Sequence, residues 1–299
     1  MRLHLIPIVT VALAVSLSAQ TTAPSSPGAE VAAQTQQRWI SQINNGQAEQ
    51  VITEIERRLP QQQPIPELKA PDLRYFRARA YLKSPLRTSA QDAQAVEDFI
   101  ASSVTDPRGG ELLFRLGAVE TDPAQRKKIY QRVIDSYPQT EWAQHSKGAI
   151  RRIESIGKPF ELDFTDAITG QPVSIQGDFK GKVVIIQFWA GWCSDCAAEM
   201  PRLKSLYEQY HSKGLEFVGV SLDRPESEGA LRTLKFAVAK FELPWPQYYQ
   251  GNYFQSEFSS GWGVNAIPWA FILDKQGNLR SAEALPQLEK LIPQLLDQP

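Results

Sequence analysis

Two hydrophobic periodicities divide the chain. From about Ala29 to Gly157 apolar residues recur at helical spacing. Ala48, Val51, Ile52, Ile55 and Leu59 share one face, as do Val96, Phe99 and Ile100, and then Ile129, Val133, Ile134 and Tyr137. No window in this half alternates with period two. Pro60, Pro64, Pro66, Pro85, the pair Gly109-Gly110 and Pro138 punctuate it. Asp106-Pro107 and Asp122-Pro123 each read as an N-cap followed by a proline in the first turn. The pattern predicts a string of short amphipathic helices.

Past Gly157-Lys158-Pro159 the period changes. Val183 to Trp189 is a β-branched, apolar run suited to a strand buried on both faces. Leu215 to Leu222 is a second such run, with Gly219 inside it, and Trp269 to Asp274 a third. A turn at Lys275-Gln276-Gly277-Asn278 leads to a short strand at Leu279 to Ser281, which predicts an antiparallel hairpin at one edge. Helical stretches lie between these runs, at Cys193 to His211, Ser227 to Phe241 and Leu285 to Leu296. Strands alternating with helices predict an α/β sheet with flanking helices.

The N-terminus reads as a secretory signal over residues 1–19. Arg2 gives a positive start, Leu5 to Leu17 is an apolar run short for a membrane span, and Ser16, Ser18 and Ala19 are small. The alternative is an uncleaved membrane anchor. Either reading puts the remainder outside the cytoplasm, in the periplasm or cell envelope. No cysteine follows the apolar run, so bacterial lipidation has no acceptor there. Residues 20–28, rich in Ser, Thr and Pro, read as a flexible spacer. The helical domain is then expected over 29–157 and the α/β domain over 158–299, and 299 residues suffice for two cores. A formal net charge of -1 gives no argument for nucleic acid.

The chain has two cysteines, Cys193 and Cys196, where the first apolar run gives way to a helical one. A disulfide at this spacing closes so small a loop that it removes little unfolded-state entropy. A structural zinc site wants four Cys or His ligands, and only His145 and His211 remain beyond the leader, both distant in sequence. No metal or cofactor is expected. Redox exchange suits the pair. At a helix N-terminus, unpaired N–H groups and the helix dipole favour the Cys193 thiolate, making it the exposed nucleophile. Cys196, one turn later and inward, is then the resolving thiol.

Phe188-Trp189-Ala190-x-Trp192-Cys193-x-x-Cys196 resembles the active-site signature of the thioredoxin superfamily. Pro201 matches that fold's helix-kinking proline, and Ala266-Ile267-Pro268 matches the cis-proline segment that faces the cysteines. The resemblance is closest to the extracytoplasmic TlpA/ResA-like thiol-disulfide oxidoreductases. It is carried by Cys196-Ala-Ala-Glu199-Met-Pro201, Val218-Gly-Val-Ser221-Leu222-Asp223, Leu243-Pro244-Trp245-Pro246-Gln247, and Trp262-Gly263-Val264-x-x-Ile267-Pro268 followed by Ile272-Leu273-Asp274-Lys275-x-Gly277. It spans about Phe160 to the C-terminus.

That resemblance implies a thioredoxin-like fold and an enzyme acting on protein disulfides or dithiols. It implies a reductant serving cytochrome c maturation or envelope thiols, recharged by a membrane thiol-reducing partner. Ile267 and Pro268 would shape the groove for the substrate cysteine. Glu199 would take the proton from Cys196, unless it is a solvated helix residue. Trp192 and Trp269 would form an apolar substrate rim, or Trp269 would belong to the core. Two departures matter. Gln187 stands where cytosolic thioredoxins keep a buried aspartate, and Ser194-Asp195, not Gly-Pro, separates the cysteines. Asp195 places negative charge beside the thiolates and should favour a more reducing couple.

In the helical half, Tyr130 to Ala143 resembles the helix-turn-helix of tetratricopeptide-like repeats, with a Tyr-Pro turn ending one helix and a Ser or Thr capping the next. Phe-Arg-x-x-Ala recurs at Phe76 to Ala80 and at Phe114 to Ala118. A degenerate α-solenoid is expected, acting as a partner-binding surface or else as a helical spacer or dimerisation arm. The competing functional readings are a partner-binding protein with an accessory redox module, and a peroxiredoxin-like peroxidase. The latter lacks the proline its peroxidatic loop requires upstream of Cys193.

Overall fold

The computed structural model describes residues 26–61 and 68–298. The signal-like segment 1–19 lies outside them, as does most of the spacer. Among the described residues, no helix is long and apolar enough to cross a membrane.

Seven helices come first: α1 (Pro27–Asn44), α2 (Ala48–Gln61), α3 (Ala70–Tyr81), α4 (Ser89–Ser102), α5 (Arg108–Val119), α6 (Pro123–Ser136) and α7 (Glu141–Ser155). Each buries one stripe in a common core, with Trp39, Ile52, Phe99, Leu112 and Tyr130 almost fully enclosed. Asp122 caps α6 by accepting the Gln125 N–H at 2.8 Å, and Thr140 caps α7 by accepting from Ala143 at 3.3 Å. A side-chain cap of this kind contributes about 1 kcal/mol. Two expectations are corrected. Asp106 does not cap α5: the cap position falls on Pro107, and the Asp106 carboxylate instead takes the N–H and guanidinium of Arg108. The spacer reading runs two residues too far, because Ser26 accepts the Ala29 N–H and Pro27 starts α1. Proline is tolerated there, since a first-turn N–H has no partner to lose.

The second half follows as β1 (Asp163–Thr165), β2 (Pro172–Ser174), α8 (Ile175–Asp178), β3 (Val183–Trp189), α9 (Ser194–Tyr210), β4 (Leu215–Ser221), α10 (Ala230–Phe241), β5 (Gln247–Tyr249), α11 (Glu257–Gly261), β6 (Trp269–Leu273), β7 (Leu279–Ser281) and α12 (Leu288–Leu296). Five strands form a mixed sheet in the order β5-β4-β3-β6-β7. β3 is parallel to β4 and antiparallel to β6, and β6 and β7 form the expected edge hairpin. The three-residue strands β1, β2 and β5 had no counterpart in the hydrophobic pattern. All seven residues of β3 are buried, as are all seven of β4. That is the signature of strands covered by helices on both faces.

The active end of β3 rests on a buried polar network. The Gln247 side chain lies over Gly219, where any Cβ would come within 2.1 Å of its Oε1. Gln247 Oε1 accepts the Trp189 indole N–H at 3.0 Å, and its own amide donates to the Trp245 carbonyl at 3.0 Å. Gly219 thus makes room for the group that fixes the last residue of β3.

The helical half is packed onto the sheet half. Gly148 of α7 meets Gly263 backbone to backbone, and a Cβ on Gly148 would fall 2.2 Å from the Gly263 nitrogen. Arg151 donates to the Gly261 carbonyl at 3.3 Å and lies 4.1 Å from the centre of the Trp262 ring. Arg152 donates to the Trp262 carbonyl, and Arg126 of α6 pairs with Glu283 at 2.7 Å. The connecting segment is pinned too: Gly157 donates to Leu279 at 2.7 Å, and Phe160 to Gly277 at 2.9 Å.

Gly148→Ala tests this seam. Helix propensity alone favours alanine by about 1 kcal/mol. The clash with Gly263 should outweigh it, at about 1–3 kcal/mol for an overpacked site. The expected outcome is a lower midpoint in thermal unfolding; an unchanged or raised midpoint contradicts the contact.

Candidate active site

β3 ends at Trp189, and after three intervening residues the chain turns into α9 with Cys193 as its N-cap. Cys193 Sγ accepts the Cys196 backbone N–H at 3.1 Å. The two cysteines are joined as a disulfide. Cys193 keeps 7% of its surface exposed and Cys196 none. The exposure expected for Cys193 is therefore relative: it is the more accessible of two largely covered sulfurs. Pro201 lies inside α9 one turn past Cys196, where it removes one helical hydrogen bond.

The loop between β3 and α9 is stitched to the end of β4. Leu222 donates its N–H to the Trp189 carbonyl at 2.8 Å, and the Trp192 indole donates to the Leu222 carbonyl at 3.2 Å. Asp223, 1% exposed, takes the Gly191 N–H at 3.1 Å on Oδ1 and the Ser221 hydroxyl at 2.8 Å on Oδ2. Burial raises the pKa of this carboxyl, against the lowering effect of those hydrogen bonds. Asp223 was legible in the sequence only as part of a family motif. An acidic residue directly after an apolar strand run, at the carboxyl end of a sheet, is the signal that singles it out.

The Ile267–Pro268 peptide is cis. Phe188 pairs with Trp269 across the antiparallel β3–β6 ladder, so Pro268 stands beside the end of β3, at the edge from which Cys193 emerges. Ile267, Pro268 and Trp269 are all partly exposed. The Trp269 indole donates to the Ala282 carbonyl at 2.6 Å, and Arg152 lies 5.5 Å from its ring centre. Trp269 is thus tied to the body of the fold and to the helical half. Trp192 is the open aromatic, at 47% exposure, with the Tyr253 ring 6.0 Å away.

Glu199 lies on α9, half-buried, with its carboxylate engaged by Arg202. Arg202 also holds Glu289 of α12 at 2.6 and 2.7 Å. Gln187 is fully buried under α9, its amide 3.4 Å from the Met200 sulfur, and its Oε1 is unpaired among the described residues. It cannot carry a proton to the dithiol. Asp195 is exposed in the first turn of α9. Among the described residues, no group of three or more His, Cys, Asp or Glu could hold a metal ion.

A CxxC disulfide at a helix N-terminus, with a cis-proline entering the neighbouring strand of a five-stranded mixed sheet, is the arrangement of a thioredoxin-like fold. Residues 181–279 match the family model described as thioredoxin-like. Among curated proteins, the thiol-disulfide oxidoreductase ResA of Bacillus thuringiensis subsp. konkukian is 29% identical over 144 residues, covering 47% of this chain and 78% of that protein. ResA of Bacillus anthracis is 32% identical over 130 residues, covering 42% and 66%. A solved thioredoxin-like protein from Bacteroides vulgatus shares 29% identity, with a TM-score of 0.40, over 48% of this chain and 87% of its own. The sheet half is a thioredoxin-like domain, and the chain is similar to the ResA proteins, which are named thiol-disulfide oxidoreductases.

Asp223 carries a pH signature. Its folded pKa is raised above the unfolded value of about 3.9. Its contribution to stability is therefore full below the unfolded value and is lost as pH rises through the folded one. Asp223→Asn lacks this dependence. In urea unfolding at a series of pH values, wild-type stability relative to Asp223→Asn should fall as pH rises through that window. A difference that rises instead contradicts the assignment.

Proposed function

We propose that the protein exchanges its dithiol with disulfides of other proteins, outside the cytoplasm and in the reducing direction. One observation carries the reading: Cys193 Sγ is at the α9 N-terminus, accepting a backbone N–H, and is the more exposed sulfur. When the bridge opens, the same N–H and the helix dipole stabilise a Cys193 thiolate. That thiolate attacks one sulfur of a substrate disulfide, forming a mixed disulfide and releasing the other substrate sulfur as a thiol. Cys196 then gives up its proton and attacks Cys193 Sγ. The substrate leaves with two thiols, and the Cys193–Cys196 disulfide is regenerated. An external dithiol, of which a membrane thiol reductant is the class, must reduce it for the next cycle.

Ile267 and Pro268 would border the substrate strand, and proline there offers no N–H to compete with it. Trp192 would supply the apolar contact. Glu199 would accept the Cys196 proton, which requires it to loosen from Arg202. Apocytochrome c or other envelope proteins are the substrates the family resemblance suggests. The signal-like residues 1–19 support the location. The helical half, 29–157, would add a partner surface beside the redox module, 158–299.

Cys196→Ser should accumulate a mixed disulfide through Cys193 in envelope extracts, visible as a shift on non-reducing gels that dithiothreitol reverses. Cys193→Ser should trap nothing, and either variant should lose insulin reduction by orders of magnitude. Capture that survives Cys193→Ser overturns the nucleophile. Equilibration with glutathione should place the couple on the reducing side of that pool; a more oxidising couple overturns the reductant.

A further inference from the structure

A cavity of about 410 Å³ lies in the seam between the helical half and the sheet, away from the dithiol. Three guanidiniums line it: Arg126 of α6, Arg152 of α7, and Arg280 of β7. Their carboxylate partners do not match them in number. Arg126 pairs with Glu283 at 2.7 Å, and Arg280 with Asp274 at 3.4 Å. Arg152, 7% exposed, makes no ion pair among the described residues: Glu283 acts on it electrostatically but pairs with Arg126, and the hydrogen bond of Arg152 goes to the Trp262 carbonyl. Burial pushes its guanidinium below the ordinary arginine value. Arg126 Nε, also buried, has no hydrogen-bond partner among the described residues.

A buried cation without a counter-charge is costly, and an anion that enters beside it recovers much of that cost. The remaining wall is aliphatic at Pro123, Ile153, Ile156 and Ala282 and polar at Ser281 and Glu283, the carboxylate that pairs with Arg126. Charge on one side and aliphatic surface on the other is the composition of a small-molecule pocket, and the volume falls in the usual range. We propose that this cavity binds a small amphipathic monoanion: a carboxylate held by Arg126, Arg152 and Arg280, with a short aliphatic tail against Ile153 and Ile156. The cavity shares a wall with the cis-proline strand, since the Ala282 carbonyl accepts the Trp269 indole N–H and Arg152 faces the Trp269 ring. Occupancy is therefore felt next to the redox site, although the binding claim stands apart from the direction and substrate of the exchange.

Calorimetric titration of the full chain with acetate, hexanoate and inorganic phosphate, at fixed pH and ionic strength, tests this. Fixed ionic strength matters because added salt screens the attraction between the guanidiniums and the anion. Hexanoate should bind saturably at one site and about tenfold more tightly than acetate, the equivalent of nearly two methylenes leaving water. Arg280→Gln and Arg126→Gln should each weaken hexanoate several-fold. Glu283→Gln should tighten it, by freeing Arg126 from its competing carboxylate. Arg280 and Glu283 are both on the exposed rim, so these two variants decide the matter even if Arg126→Gln fails to fold. No saturable binding, phosphate binding more tightly than hexanoate, affinities indifferent to the variants, or weakening in Glu283→Gln would each overturn the proposal.

Discussion

Burial of β3 on both faces is the constraint from which the site follows. Val183 to Trp189 contains one polar side chain, Gln187, and every residue of it is enclosed. Such a strand needs a hydrogen-bonded neighbour on each side and a helical layer above and below. β4 joins it in parallel, so the two strands finish at the same edge. β6 joins it antiparallel, so β6 begins at that edge. Cys193 follows the first strand, Asp223 the second, and Pro268 precedes the third. Residues separated by up to 75 positions meet because three strand ends coincide.

The helical half is a second support for that edge. Gly148 and Gly263 meet with no room for a side chain, and Arg151 and Arg152 take the Gly261 and Trp262 carbonyls. Three residues separate Gly263 from Ile267. The segment that presents the cis-proline is therefore held from one side by α7 and from the other by its ladder to β3. A surface ion pair adds little to such a contact. The backbone approach and the buried guanidinium give it its definition, since both are lost if the two halves separate.

Legibility tracked how far each feature depends on its own segment. β3, β4, β6 and β7 were visible because apolar, β-branched runs or a glycine turn mark them. β1, β2 and β5 were not. Asp-Phe-Thr, Pro-Val-Ser and Gln-Tyr-Tyr carry too little pattern, and β5 is placed by distant groups. Asp166 accepts the Gln247 N–H at 2.8 Å, and β4 supplies the ladder. The Asp122 cap was legible and the Asp106 cap misleading, although both precede proline. In the second case Arg108 competes for the carboxylate, and the helix starts one residue later.

Cys193 and Cys196 are three apart at a strand-to-helix junction, and that local fact was enough to expect them to pair, because closing one helical turn requires nothing from elsewhere. The tertiary structure decided which other groups surround the pair. Packing placed Asp223 on the loop behind Cys193 and drew Arg152 across the seam to Trp269. None of these side chains differs in type from its solvated counterparts along the chain. Their roles come from burial and from partners distant in sequence, and hydrophobic periodicity records which face of an element is buried but not what it is buried against.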